Sequence, residues 1–169
     1  SYKKVGMRND HPDNLQAVER IKFQPIAYGG TNGQQKFYYD PTTEKEELVE
    51  RALQSFSLVK RENHYKHVLV KTSNLRTIMN ELKLTSLDIV KADIEGLWYD
   101  FANEILDNKI YCKFVALELE LNFEKEQKVE PALQKAQYIC DKFRSNNYDV
   151  IINRRRDKLM LEMLFINES

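Results

Sequence analysis

Glycine and proline are scarce, at five and four among 169 residues. That scarcity excludes collagen-like and low-complexity architectures, and the nine Tyr and eight Phe exclude a disordered chain. Charge of one sign is also missing, because 26 Lys and Arg balance 26 Asp and Glu. A neutral sum leaves no electrostatic footprint for nucleic acid or an anionic membrane, so neither is expected as a partner. No stretch reaches the roughly 18 uninterrupted apolar residues of a membrane span, and the first residues do not read as a signal peptide. The only cysteines, Cys112 and Cys140, fall on a predicted strand and a predicted helix. They read as reduced core residues of a cytoplasmic protein rather than as a disulfide.

What is present suits one domain with one core over residues 1–169, 42 % of them apolar. The first twenty residues read as a loop with a short helix around Asn14 to Glu19. Ile21 to Tyr28 and Lys36 to Tyr39 read as strands of a hairpin across the Gly29-Gly30-Thr31-Asn32-Gly33 turn. Thr43 and Glu46 have the spacing of a capping box, before a helical face of Leu48, Ala52 and Phe56. His67 to Thr72 is a strand. Ser73 then stands as N-cap to a helix with Leu75, Ile78, Met79 and Leu82 on one side. Leu87 to Ile94 is a strand ended by Glu95-Gly96, and a helix follows with Leu97, Phe101 and Ile105 inward. Lys113 to Leu121 is the next strand, and Val129, Leu133, Ala136, Cys140 and Phe143 mark a long helix. Asp149 to Asn153 and Leu159 to Ile166 close the chain as strands.

From His67 onward the order is therefore β-α-β-α-β-α-β-β. Strands alternating with helices imply an α/β fold with a largely parallel sheet. Leu87–Ile94 and Lys113–Leu121 should be adjacent, parallel and central. The last two strands are joined too briefly for a crossover, so the last must be antiparallel.

Two neighbouring strands hold the residues best suited to chemistry. Lys91, Asp93 and Glu95 alternate toward one face of the first, and Glu118 and Glu120 share a face of the second. Central parallel strands are ordinarily apolar on both faces, so this set points to an open crevice at the carboxyl edge of the sheet. A scaffold reading stands beside it. Asp93 or Glu95 would cap the next helix, and Glu118 and Glu120 would be solvated or paired with Lys91. Trp98 either lines the crevice or packs. His64 and His67 have a spacing that chelates metal on a helix, but a third ligand is lacking and they read as surface residues. The run Arg154 to Arg156 reads as a solvated turn. No metal site is expected, and no nucleophile arrangement is present.

The segment Asp88-Ile89-Val90-Lys91-Ala92-Asp93-Ile94-Glu95-Gly96 resembles the D-(hydrophobic)2-K-x-D-(hydrophobic)-E-G signature of FkbM-type S-adenosylmethionine-dependent methyltransferases. Pro25 to Gly33 with Lys36-Phe37-Tyr38, Val70 to Leu75, and Phe114 to Glu118 are similar, in the same order, to further segments of that family. The resemblance runs from about Ile21 to Ile166. It implies a Rossmann-like class I methyltransferase sandwich, whose last strand is antiparallel. It further implies methyl transfer from S-adenosylmethionine to a hydroxyl of a small-molecule or sugar-containing acceptor. Asp93, Lys91 and Glu95 would be catalytic, Asp93, Gly29 and Gly30 would meet the cofactor, and Glu118, Glu120 and Trp98 would line the acceptor crevice. Asp93 would act as general base, kept ionised by Lys91.

Three departures from the family pattern are plain. The glycine-rich turn after a first strand is absent, since no G-x-G occurs anywhere. Trp98 stands where the family usually has an acid, and so does Arg76. The chain therefore reads as an excerpt truncated at its N-terminus, which would leave an apolar gap in the sheet and bind the cofactor weakly or not at all. The competing expectation is a non-catalytic interaction domain that keeps the fold without the cofactor site.

Overall fold

The structure is a computed structural model that describes residues 25–39, 58, 60, 65–94, 96–120, 129–155 and 160–169. The expected helices near Asn14 and from Pro41 to Phe56, the residues 21–24, and His64, Glu95 and Arg156 lie outside the described residues.

Seven strands and three helices follow one another: β1 (Ala27–Tyr28), β2 (Gly33–Tyr39), β3 (Lys66–Ser73), α1 (Leu75–Leu82), β4 (Leu87–Ala92), α2 (Trp98–Asp107), β5 (Cys112–Glu120), α3 (Val129–Arg144), β6 (Tyr148–Arg155) and β7 (Met160–Asn167). From β3 onward this is the order read from the sequence. The elements are α/β, gathered into a three-stranded sheet β1-β3-β2 and a four-stranded sheet β4-β5-β7-β6.

The sheets are not largely parallel. Among the described residues β1 pairs with β3 and β4 with β5 in parallel, while β2–β3, β5–β7 and β6–β7 are antiparallel. The cause is the closing hairpin. β4, β5 and β6 run the same way, but β7 turns back and enters between β5 and β6, so each would-be parallel contact there becomes two antiparallel ones. The last strand is antiparallel, as expected. β4 and β5 are adjacent and parallel, but only β5 is interior; β4 forms an edge of its sheet. β3 does not extend that sheet because its own edges are taken, by β2 along its length and by β1 at Thr72–Ser73. For the same reason β1 and β2 are not a hairpin pair: β3 lies between them.

Helices α2 and α3 lie on one face of the four-stranded sheet. Their stripes (Trp98, Phe101, Ala102 and Ile105; Ala132, Ala136, Ile139, Cys140 and Phe143) are buried, at helical spacing. They meet Val115, Leu117 and Leu119 of β5 and Leu161, Met163 and Phe165 of β7, which alternate inward. Phe143 stacks on Phe165 with centroids 3.9 Å apart. The stripe of α3 is rotated from the expected one, with Ala132 and Ile139 inward and Leu133 exposed. In α1 only Leu75 and Met79 are buried. Its N-cap is Asn74 rather than Ser73: the Asn74 side chain accepts from the Thr77 N–H, while Ser73 ends β3, buried. No helix among the described residues is long and apolar enough to cross a membrane.

Both cysteines are free and buried, Cys140 against the Met163 sulfur at 3.7 Å. Burial pushes the Cys112 thiol up to about 11, and burial likewise raises Cys140. The thiolate is the reactive form, so neither thiol should react with a disulfide reagent at pH 8 in the folded protein. In denaturant both should titrate at once. Rapid modification of either in native buffer would contradict this packing.

Candidate functional site

Asp93 follows the last residue of β4 and is exposed. The chain then turns at Gly96, whose φ of 79° suits glycine, and the Leu97 N–H donates to the Ile94 carbonyl at 2.8 Å before α2 begins. The N-cap of α2 is Leu97, without a side-chain bond, so Asp93 is not the cap. No hydrogen bond or ion pair engages the Asp93 side chain either. Lys91, two residues back along the same face, is exposed and forms no ion pair with a described carboxylate.

On the neighbouring strand Ala116 is the register partner of Lys91, and Glu118 lies two residues further on, half-buried. Glu118 is directly opposite Glu162 of β7, which accepts from the Asn153 amide at 3.1 Å. Like charges facing each other across a ladder are destabilising, so this end of the sheet holds concentrated negative potential. Glu120 ends β5 opposite Met160. Asp93 and Glu118 thus stand at the carboxyl ends of adjacent parallel strands, as expected. Trp98 does not line this end: it is 7 % exposed, belongs to the core, and meets Tyr99 edge-on at 5.7 Å.

Gly29 and Gly30 lie elsewhere, in the turn between β1 and β2. The Gly29 N–H donates to the Ser73 carbonyl at 3.3 Å, and a Cβ on Gly29 would fall 2.6 Å from the Thr72 Cβ. Thr72, 1 % exposed, donates from Oγ1 to the Thr31 carbonyl, and the Gln35 amide donates to the Gly29 carbonyl and to Thr72 Oγ1. The close approach that demands glycine is therefore to Thr72. Gly30 has φ 68° with open space around its Cβ position.

Gly30 opens onto a cleft of about 300 Å³ between this turn, the start of α1 and the polar side of α2, lined by Tyr28, Asn74, Asp100, Glu104 and Asn108 among others. Tyr28 donates to Glu104 Oε2 at 3.0 Å, and the Arg76 N–H donates to Oε1 at 3.1 Å. Burial, then the neighbouring Glu104 carboxylate, holds the Tyr28 hydroxyl far above its ordinary range, so it stays a neutral donor. The Arg76 guanidinium donates to the Asn108 carbonyl at 2.7 Å, and Lys142 holds Asp107 at 2.6 Å. These polar groups mostly satisfy one another. The cleft clamps the β1–β2 turn to α2, and its wall offers acceptors to a hydroxyl or ammonium group. Sequence reading missed it, although Asp100, Glu104 and Asp107 recur at helical spacing on α2.

The two regions are separate: Asp93, Lys91, Glu118 and Trp98 do not line the cleft. Among the described residues no three His, Cys, Asp or Glu side chains gather to hold a metal ion. His67 is exposed on β3, its ring 5.7 Å from that of Tyr38.

Replacing Gly29 by Ala tests the packing role of that glycine. The added methyl should drive Thr72 or the turn aside and cost about 1–3 kcal/mol in urea unfolding. An Ala variant as stable as the parent would mean that the turn does not sit on Thr72.

No protein-family model, curated protein or solved structure matches the chain.

Proposed function

We propose that this chain is the acceptor-side part of an FkbM-type methyltransferase, serving methyl transfer from S-adenosylmethionine to a hydroxyl of a small-molecule or sugar-containing acceptor. The observation that carries the reading is Asp93. It is an exposed carboxylate at the carboxyl end of a parallel strand, inside the Asp88-to-Gly96 signature, and neither a cap, a hydrogen bond nor an ion pair employs it. Glu118 on the adjacent strand and the antiparallel last strand agree with the class I sandwich this reading entails. In that sandwich further strands would continue the sheet beyond the open edge of β4.

The described residues do not by themselves fit the cofactor. They contain no glycine-rich turn after a strand, the Gly29 N–H is engaged by Ser73, and Gly30 opens onto a cleft apart from Asp93. Its anchoring is therefore assigned to residues other than these. What this chain supplies is the acceptor side. Asp93 accepts the hydroxyl proton, and Glu118 borders the crevice in which the acceptor is held in line. A second reading, a non-catalytic interaction domain, is favoured by the exposed apolar side chains of the sheet, Ile89 foremost at 71 %.

Asp93→Asn separates the two readings. Asn keeps the size of the side chain, so the thermal melt should be unchanged. Transfer of labelled methyl groups to a panel of hydroxylated acceptors should fall about a hundredfold, as for a lost general base. Wild-type turnover in the variant would remove Asp93 from the chemistry. Separately, calorimetric titration of this 169-residue chain with S-adenosylmethionine should show no micromolar binding. Micromolar affinity would overturn the assignment of the anchoring groups elsewhere.

A further inference from the structure

The four-stranded sheet has two faces, and α2 and α3 cover only one. β4, α2 and β5 form one crossover, and β5, α3 and β6 form another that moves in the same direction across the sheet. Crossovers of one hand moving in one direction lay their helices on the same face. The Phe143–Phe165 stack and the Lys142 bonds to Asn103 and Asp107 put α2 and α3 together on that side. These elements therefore leave the other face without a covering layer.

Register shows what that face presents. Ile89, Phe114 and Ile166 form one row across β4, β5 and β7, and Ala116, Leu164 and Ile151 form the next across β5, β7 and β6. Ile89 and Ile151, on the outer strands, are 71 % and 54 % exposed, while the four residues between them are half-buried. The third row turns acidic, with Glu118 beside Glu162 and Asp93 just past the end of β4. Strands lie about 4.8 Å apart, so the outer two are separated by about 14 Å. That width suits a single helix of about 10–12 Å diameter. A parallel strand pair flanked by crossover helices is ordinarily covered by helices on both faces.

We propose that this face docks one amphipathic α-helix, foreign to the described elements, which lays an apolar stripe on Ile89, Phe114, Leu164, Ile166 and Ile151. Its basic end meets Glu118 and the acidic border. The apolar rows supply contact area, and the acidic row fixes the direction in which the helix lies, because the reversed helix would set its basic end on isoleucines. The inference does not depend on the methyl-transfer reading, since it uses the face and not the reactivity of Asp93.

The test uses the intact chain and a labelled synthetic peptide of about 18 residues, with leucines at helical spacing and arginines in its last turn. A twin carries glutamates in place of the arginines. Fluorescence anisotropy should show binding of the arginine peptide and at least about tenfold weaker binding of the twin. Ile89→Glu and Ile151→Glu, at exposed positions where folding is checked by circular dichroism, should each abolish binding. Glu118→Gln should narrow the gap between the two peptides. Equal binding of the twins, no binding of either, or full binding to Ile89→Glu would overturn the proposal. So would sedimentation showing that a second copy of the chain occupies the face.

Discussion

Phe143 stacked on Phe165 joins the long helix α3 to the last strand, and the remaining core takes its place around that contact. Phe165 sits on β7, between β5 and β6, so the stack holds the strand at the centre of the sheet. Tyr148 adds an edge-on contact to Phe143 at 5.0 Å and donates its hydroxyl to the Cys112 carbonyl at 2.9 Å, fastening β6 to the start of β5. With β7 fixed, β5 has a partner on each side, and its carboxyl end, with Glu118, is held level with that of β4. The exposure of Asp93 is in this sense a downstream result of packing among aromatic rings on the far side of the sheet.

The second constraint is local to the three-stranded sheet. Thr72, buried and hydrogen-bonded, is gripped by the Gly29-to-Gly33 turn, and Tyr28 and Arg76 join that sheet to α2 through the two oxygens of Glu104. One carboxylate thus receives a donor from β1 and another from the first turn of α1. Arg76, which departs from the family pattern, has a structural use here through its bond to the Asn108 carbonyl.

Periodicity made the later two-thirds of the chain legible. The apolar spacing of α2 and the alternation of β5 and β7 are strong local signals, and the brevity of the last connection dictated an antiparallel final strand. What sequence reasoning missed was pairing. Whether Tyr28 bonds to Phe37 or to Ser73 depends on contacts distant in sequence, and turn chemistry at Gly29 to Gly33 fits either outcome. The insertion of β7 between β5 and β6 was likewise invisible, since a short connection dictates direction and not which neighbour the returning strand joins. Asp93 and Glu118 could be placed because alternation from a strand end is simple arithmetic. The cleft beside Glu104 could not, because its walls come from a turn and two helices that only tertiary structure brings together.

The position of β3 between β1 and β2 bears on how the chain acquires its shape. Ala27 pairs with Thr72, and Gly33 pairs with the same threonine from the other side. Neither early strand can close its ladder on the other, so both must await a strand made far later in synthesis. Sheets closed by distant partners form slowly, because the entropy of a long loop is lost before any bond compensates for it. The β4-to-β7 unit is built from neighbours in sequence and carries no such delay. The three-stranded sheet should therefore be the last part to order as the chain emerges, with Thr72 as the residue on which it closes.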